Sequence, residues 1–405
     1  MTKAINSNTP IRTSYDVVIV GGAMYGSAVA WFLTDNPDFD GNVLVIERDP
    51  SYANSATAHT NSCIRQQFSN PLNVKISQFG AEFIKGFRKF MGNDPRIPEL
   101  SIQSYGYMYL ADTETFADQL RAAQSVQRKA GAATQLLTPD AIRAAYPFYN
   151  VNDIVLGSIN TTDEGYWDGG AVFDWWRRSA RERGVEYIND EVVSMTRKGP
   201  RIESVKLASG NEISCGKVVN ATGTRGAKTA AMAGINIPIE PRKRFTWIFS
   251  AEQPLDRDLP LTIDPSGVHF RQDGPQTYLA GGHSDHDPAV PFDDFTTDHS
   301  LWEDKIWPTI AARIPQFEAI KVITEWAGHY DFNTLDQNAI LGPHTEVENF
   351  YFVNGFSGHG LQQSPAMGRG TAEMLVYGEY RTLDLSPFGY DRIEKGHTFA
   401  EAAII

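Results

Sequence analysis

The chain has 405 residues, 41% of them hydrophobic, and a formal charge of −13, enough length for two domains with sizeable cores. That charge excludes a nucleic-acid surface as the main business, because phosphate contacts need clustered Lys and Arg, although a local Arg can still hold an anionic substrate. With Cys63 and Cys215 as its two cysteines, the chain has neither a disulfide framework nor a four-cysteine zinc site, and two reduced thiols in a cytoplasmic setting are expected.

Polar residues interrupt Met1 to Tyr15, so no secretory segment is expected there. Lys3, Arg12 and the lack of an acid before Asp16 are compatible with a short transit peptide, but a disordered tail over 1–13 is the expectation. The apolar run Tyr15–Val20, the glycines Gly21 and Gly22, and the apolar stretch Ala28–Leu33 read as strand, tight turn and buried helix. Val43–Ile46 reads as a second buried strand of a parallel sheet. Leu72–Met91 has helical spacing, Tyr105–Leu110 reads as a strand, and Thr113–Lys129 as a helix closed by Gly131. Pro139 opens a short helix, and Gly170–Arg183 is a helix before a strand at Val185–Ile188.

Val205–Leu207 and Glu212–Ser214 read as a hairpin, followed by a short strand at Lys217–Val219. Phe245–Ser250 and Tyr278–Ala280 look like strands of a different sheet, and Leu301–Ile314 is helical. Tyr351–Val353 is a last strand, and Ser364–Tyr377 a last helix ended by Gly378. No run of about 18 apolar residues predicts a membrane span. Nucleotide-binding pieces at the start, middle and end enclose antiparallel-looking pieces, which predicts an α/β fold. A Rossmann-like domain (14–98, 158–235 and 326–380) is interleaved with a substrate domain on a mostly antiparallel sheet (99–157 and 236–325), followed by a tail at 381–405.

The first turn, Gly21-Gly22-Ala23-Met24-Tyr25-Gly26, has the pattern G-x-A-x-x-G. The first Gly permits the tight turn and the last lets helix and strand pack closely, with a pyrophosphate at the helix N-terminus. Ala23 stands where a Gly is usual, and its methyl group pushes a phosphate outward. Glu47, at the end of the second strand, suits the adenosine ribose hydroxyls and disfavours a 2′-phosphate. A second strand end, Val218–Gly223, and the glycine-rich run Gly355-Phe356-Ser357-Gly358-His359-Gly360 before a helix turn this reading from NAD towards FAD, because such a loop can stabilise charge on a reduced flavin.

These three segments together resemble the D-amino-acid oxidase superfamily of FAD enzymes, which includes sarcosine and glycine oxidases. Cys63–Ser69, Gly328–Gly342 and Gly355–Phe388 are similar to the branch of FAD-dependent oxidoreductase-domain proteins, one of which assists assembly of a respiratory complex. The resemblance implies non-covalent FAD along Gly21 to Gly26, with Glu47 and Arg48 at the adenosine, Ser55 at phosphate and Val192 at adenine. It places Asn61 and Ser62 beside the flavin ring, Thr222 and Gly223 near the pyrophosphate, and Gly355 with Ser357 to Leu361 (Ser357, Gly358, His359, Gly360, Leu361) along the pyrimidine edge. His59 and Cys63 are the nearby residues for a covalent link.

The implied chemistry is oxidation of a C–N bond in an amino acid or N-alkyl amine, the electrons passing to oxygen or another acceptor. The alternatives are a 2-hydroxy-acid oxidoreductase and a non-catalytic assembly factor. Arg65 is the expected carboxylate anchor, with His329, Tyr330 and His359 as catalytic-site residues. Trp167, Trp247 and Asp336 are expected to be structural. Sarcosine oxidases carry an oxygen-activating Lys near the position of Leu279, but no Lys occurs between Lys243 and Lys305. This points to another electron acceptor, or to another cation such as Arg271 or His283. No metal is expected, and the stretch His283–Asp287 reads as a solvated loop.

Overall fold

The computed structural model describes residues 8–401. Two eight-stranded sheets of mixed orientation organise the molecule. In the first, Ser14–Val20 lies centrally and runs parallel to Val43–Glu47 on one side and to Glu212–Asn220 on the other. Alternate side chains of a strand face opposite ways, and here both faces are covered. Val17 and Ile19 pack under Trp31, Phe83 and Trp176 of the overlying helices, while Val18 and Val20 join Val205 and Ile213 on the other face. Phe350–Asn354 and Glu186–Asn189 extend the sheet as further parallel strands.

Four helices contribute to the core on the first face: Met24–Asp35, Pro71–Lys85, Gly169–Glu182 and Gly360–Tyr377. The hairpin arm expected at Glu212–Ser214 and the strand expected at Lys217–Val219 are one element. Glu212–Asn220 pairs antiparallel with Arg201–Leu207 at its start and parallel with Phe350–Asn354 at its end.

The second sheet is mostly antiparallel, with one parallel pair between Tyr107–Ala111 and Leu261–Ile263. Its longest pairing runs from Ile239↔Asn333 to Ala251↔Ile320. The strand Ile320–Asn333 thus passes straight through the domain boundary expected at 325/326, and Leu156–Asn160 passes through the one expected at 157/158. Phe245, Trp247, Phe249, Phe270 and Tyr278 fill the core beneath this sheet.

Some local expectations need correction. The helix expected over 72–91 breaks at Gly86 into Pro71–Lys85 and Phe87–Phe90. The helix expected over 301–314 widens into a π turn at Trp302–Ile306, just before Pro308, whose ring cannot donate and crowds the preceding turn. The segment expected to trail from residue 381 is packed. Leu385 and Phe388 are buried, and Arg392 Nε lies 2.8 Å from the buried Asp336 carboxylate, which gives Asp336 a structural role. Of the N-terminal tail expected over 1–13, residues 1–7 lie outside the described residues, and Ile11 N donates to Glu186 Oε1 at 2.7 Å. Among the described residues both cysteines are free, no cluster of side chains suits a metal ion, and no helix is long and apolar enough to cross a membrane.

Candidate functional site

A large cleft opens between the two sheets and brings the start, middle and end of the chain together. At its base Gly21 has φ +95°, and a Cβ there would lie 2.5 Å from the Ala221 carbonyl oxygen, so only glycine lets the two strand ends cross. Gly26 is packed against the Gly21 backbone and, like Gly22, lies behind the cleft wall. Ala23, Met24 and Tyr25 line the cleft. The helix from Met24 starts without a side-chain cap, which keeps its positive end for an anion.

Glu47 lines the cleft and accepts from Gly22 N and Asp49 N, each at 2.8 Å. Burial raises its carboxyl above the usual range. A carboxylate has about four lone-pair sites, so hydroxyl donors can still be accommodated. Arg48, Ser55, Asn61, Ser62, Val192, Thr222 and Gly223 line the same cleft.

The glycine-rich loop before the last helix bends through positive φ at Gly355, Ser357 and Gly358. Asp331, which no sequence pattern singled out, holds it: Oδ2 accepts Gly355 N at 2.8 Å and the carbonyl accepts Ser357 N at 3.2 Å. Burial raises the Asp331 carboxyl to about 6. Tyr25 stacks on Phe356 at 3.9 Å and donates to the Gly360 carbonyl at 2.6 Å, tying the first turn to the last helix. Ser357, Gly358, His359, Gly360 and Leu361 line the cleft, whereas Gly355 sits behind it.

The opposite wall comes from the second sheet: Tyr107, Arg244, Thr246, Leu261, His269, His329 and Tyr330. Arg65 reaches the cleft between these walls, 1% exposed. Its guanidinium donates to the Gln67 carbonyl and lies 2.9 Å from His359 Nε2, over the Phe68 ring at 4.0 Å. Arginine can only donate, so His359 Nε2 accepts and the imidazole proton sits on Nδ1. Burial and then the Arg65 charge push His359 well below its usual value, which keeps it neutral.

Next to this pair, the fully buried Glu164 accepts Gln66 N at 2.6 Å, Asn160 Nδ2 at 2.8 Å and Gln67 Nε2 at 3.0 Å. Burial raises its carboxyl to about 8. His329 Nε2 donates to the Asp294 carbonyl at 2.7 Å, the ring stacks on Phe295 at 4.2 Å, and burial lowers its pKa. Tyr330 lies under the Arg244 guanidinium at 4.5 Å, and burial raises its phenol.

His269 was also missed in the sequence. Its ring lies over Gly281, where a Cβ would come within 2.5 Å of Nε2, and that nitrogen is 2.9 Å from Asn61 Nδ2. Burial and the neighbouring His283, Arg244 and Arg271 lower its pKa to about 3, so it too stays neutral.

The parts fit a flavin dinucleotide: a glycine crossing that excludes a side chain, an uncapped helix start, an acid at the adjacent strand end, and a strained loop before a second uncapped helix. Residues 16–374 match the family model described as FAD dependent oxidoreductase. The chain belongs to this family. It is 36% identical to the FAD-dependent oxidoreductase domain-containing protein 1 of Xenopus laevis, over 96% of this chain and 85% of that protein. It is 25% identical to the sarcosine oxidase subunit beta of Rhizobium meliloti, over 96% and 91% of the two chains. Among solved structures, the L-proline dehydrogenase from P. horikoshii superposes with a TM-score of 0.83 at 26% identity, covering 96% of this chain and 100% of that one. The protein is an FAD-dependent oxidoreductase related to amino-acid and sarcosine oxidases.

The remaining expected residues divide between the cleft and its surroundings. Neither Arg271 nor His283, considered as replacement cations, lines the cleft of this flavoprotein, because Arg271 is turned onto Asp273 and the Asn61 carbonyl and His283 onto the Ser284 carbonyl. Leu279 is buried behind the cleft wall. Trp167 and Trp247 belong to the two cores. Cys63 and His59 both line the cleft; burial raises the Cys63 thiol, and His59 Nδ1 lies 3.1 Å from the Ser55 carbonyl. The stretch read as a solvated loop is docked, since Asp287 takes the Arg244 guanidinium at 2.6 and 3.1 Å.

Proposed function

We propose that this oxidoreductase oxidises the C–N bond of an amino acid or N-alkyl amino acid. The observation that carries this reading is Arg65, a buried arginine at the cleft between the cofactor-side loop and the second sheet. A planar guanidinium pairs bidentately with a carboxylate, which fixes the substrate's orientation. When bound, FAD supplies the hydride acceptor.

The chain's own residues prepare the substrate. The positive charges of Arg65 and Arg244 line the cleft and favour the neutral form of a bound amine. His359, His329 and His269 add no charge, because burial keeps all three imidazoles neutral. Tyr330, packed between the Gly358 backbone and Arg244, forms an apolar wall that keeps water from the reacting carbon. Residues at Glu47, Arg48, Ser55, Val192 and Thr222 hold the nucleotide, and Ser357 to Leu361 flank the ring, without a covalent link.

Among the described residues no lysine of the second sheet lines the cleft, and Leu279 lies buried behind that wall. Electrons therefore pass to an acceptor other than oxygen. The test is an anaerobic panel of amino acids, N-methyl amino acids and 2-hydroxy acids, followed by flavin absorbance. Bleaching by amines alone is expected. Bleaching by hydroxy acids alone, or by nothing in the panel, would sink the reading. Reoxidation by air as fast as by an artificial acceptor would overturn the acceptor assignment.

A further inference from the structure

Between the strand Thr277–Gly282 and the turn at Asp298 the chain has no helix. The stretch is rich in aspartate, yet it is anchored at both sides of the cleft. On the substrate side, Asp287 pairs with Arg244 at 2.6 Å, and Lys243 Nζ lies 2.7 Å from Asp294 and 3.0 Å from the Thr296 carbonyl. From these anchors the loop crosses to the nucleotide side. Asp293 Oδ1 lies 2.7 Å from Arg225 and 3.5 Å from Arg48, and the Arg225 guanidinium stands 4.8 Å over the Phe292 ring.

Both arginines adjoin elements that shape the nucleotide groove. Arg48 follows Glu47, and Arg225 closes the turn Gly223–Arg225. Arg48, Arg225 and Phe292 all line the cleft. Farther along, Phe295 is stacked between His59 at 5.7 Å and His329 at 4.2 Å, one ring from each wall. The Asp293 side chain is 74% exposed, so core packing does not place it. Its two cationic partners across the cleft do.

We propose that Phe292 and Asp293, carried on a loop of the second sheet, form a latch that closes over the dinucleotide and retards its release. The latch rests on FAD lying in this cleft and is independent of the substrate assignment. Loss of the Asp293 pairs lets the loop lift while its anchors at Asp287 and Asp294 keep it folded. Partly exposed ion pairs are individually weak and screened by salt. The expected effect is therefore a release rate about 3- to 10-fold faster, not loss of binding.

The experiment uses the FAD-loaded full chain and follows the rise of free-flavin fluorescence after dilution. Asp293→Asn should release FAD about 3- to 10-fold faster than wild type and Asp293→Lys faster still, since it opposes two arginines. Added salt should speed the wild type towards the Asp293→Asn rate and change that variant little. Asp285→Asn, which breaks the loop's exposed contact with Lys305, should leave release unchanged. Wild-type release rates in both Asp293 variants would overturn the proposal, as would equal acceleration by Asp285→Asn. Thermal unfolding of each variant establishes that it is folded. A wild-type chain that retains no FAD would instead overturn the cofactor site on which the latch depends.

Discussion

Replacing Arg65 with Met keeps the length of the side chain and removes its charge and donors. A hydrogen bond to a charged group contributes about 1.5–3 kcal/mol, so a bidentate pair with a substrate carboxylate accounts for roughly 3–6 kcal/mol. At about 1.4 kcal/mol per tenfold, kcat/KM for a carboxylated amine should fall by a factor on the order of 100 to 20,000. The fold is affected as well. The Gln67 carbonyl and His359 Nε2 each lose their Arg65 donor, at about 1–3 kcal/mol apiece. His359, freed from the adjacent cation, should then titrate closer to its ordinary value. Anaerobic flavin reduction, compared between an amino acid and the matching amine without its carboxyl group, separates the two effects. A structural lesion slows both substrates alike, whereas loss of an anchor slows only the first. Equal losses on both substrates would refute the role assigned to Arg65.

Two further perturbations follow from the site's carboxyls. Glu47→Arg removes the acceptor of Gly22 N and Asp49 N and sets a cation at the ribose position, so FAD affinity should fall at least tenfold by equilibrium titration; an unchanged affinity would mean that the turn's role is wrong. Glu164 has its carboxyl raised from 4.5 to about 8, so it favours folding most below pH 4.5, and that contribution is lost as pH rises through about 8. The shift corresponds to about 5 kcal/mol between those limits. Thermal melts of the wild type should therefore decline between pH 5.5 and 9, and Glu164→Gln should flatten that decline; parallel profiles would show that Glu164 does not titrate in this window.

The parts legible in the sequence were those whose signal is local. The strand at Tyr15–Val20, the turn at Gly21 and the acid at Glu47 announce themselves because spacing, glycine and burial all serve one short unit. The long strand Ile320–Asn333 did not, because Lys321 to Thr324 are exposed and only its second half is buried, which breaks any alternation. His269 and Glu164 are buried and Asp331 half-buried, each held by a partner distant in sequence: Asn61, Gln66 and Gly355, respectively. Nothing in their immediate neighbours marks them. The docking of the stretch His283–Asp287 was hidden for the same reason, since Asp285 and Asp287 pair with Lys305 and Arg244 on other elements.

The strand Glu212–Asn220 lies between Ser14–Val20 and Phe350–Asn354. As the chain leaves the ribosome, the first turn and its acid emerge early, but the sheet that fixes them is closed only when residues near 354 appear. Pairings of such long sequence separation form slowly, and N-terminal segments wait for them with apolar surface uncovered. Flavin capture in this protein therefore waits until residues near 354 have been made and paired.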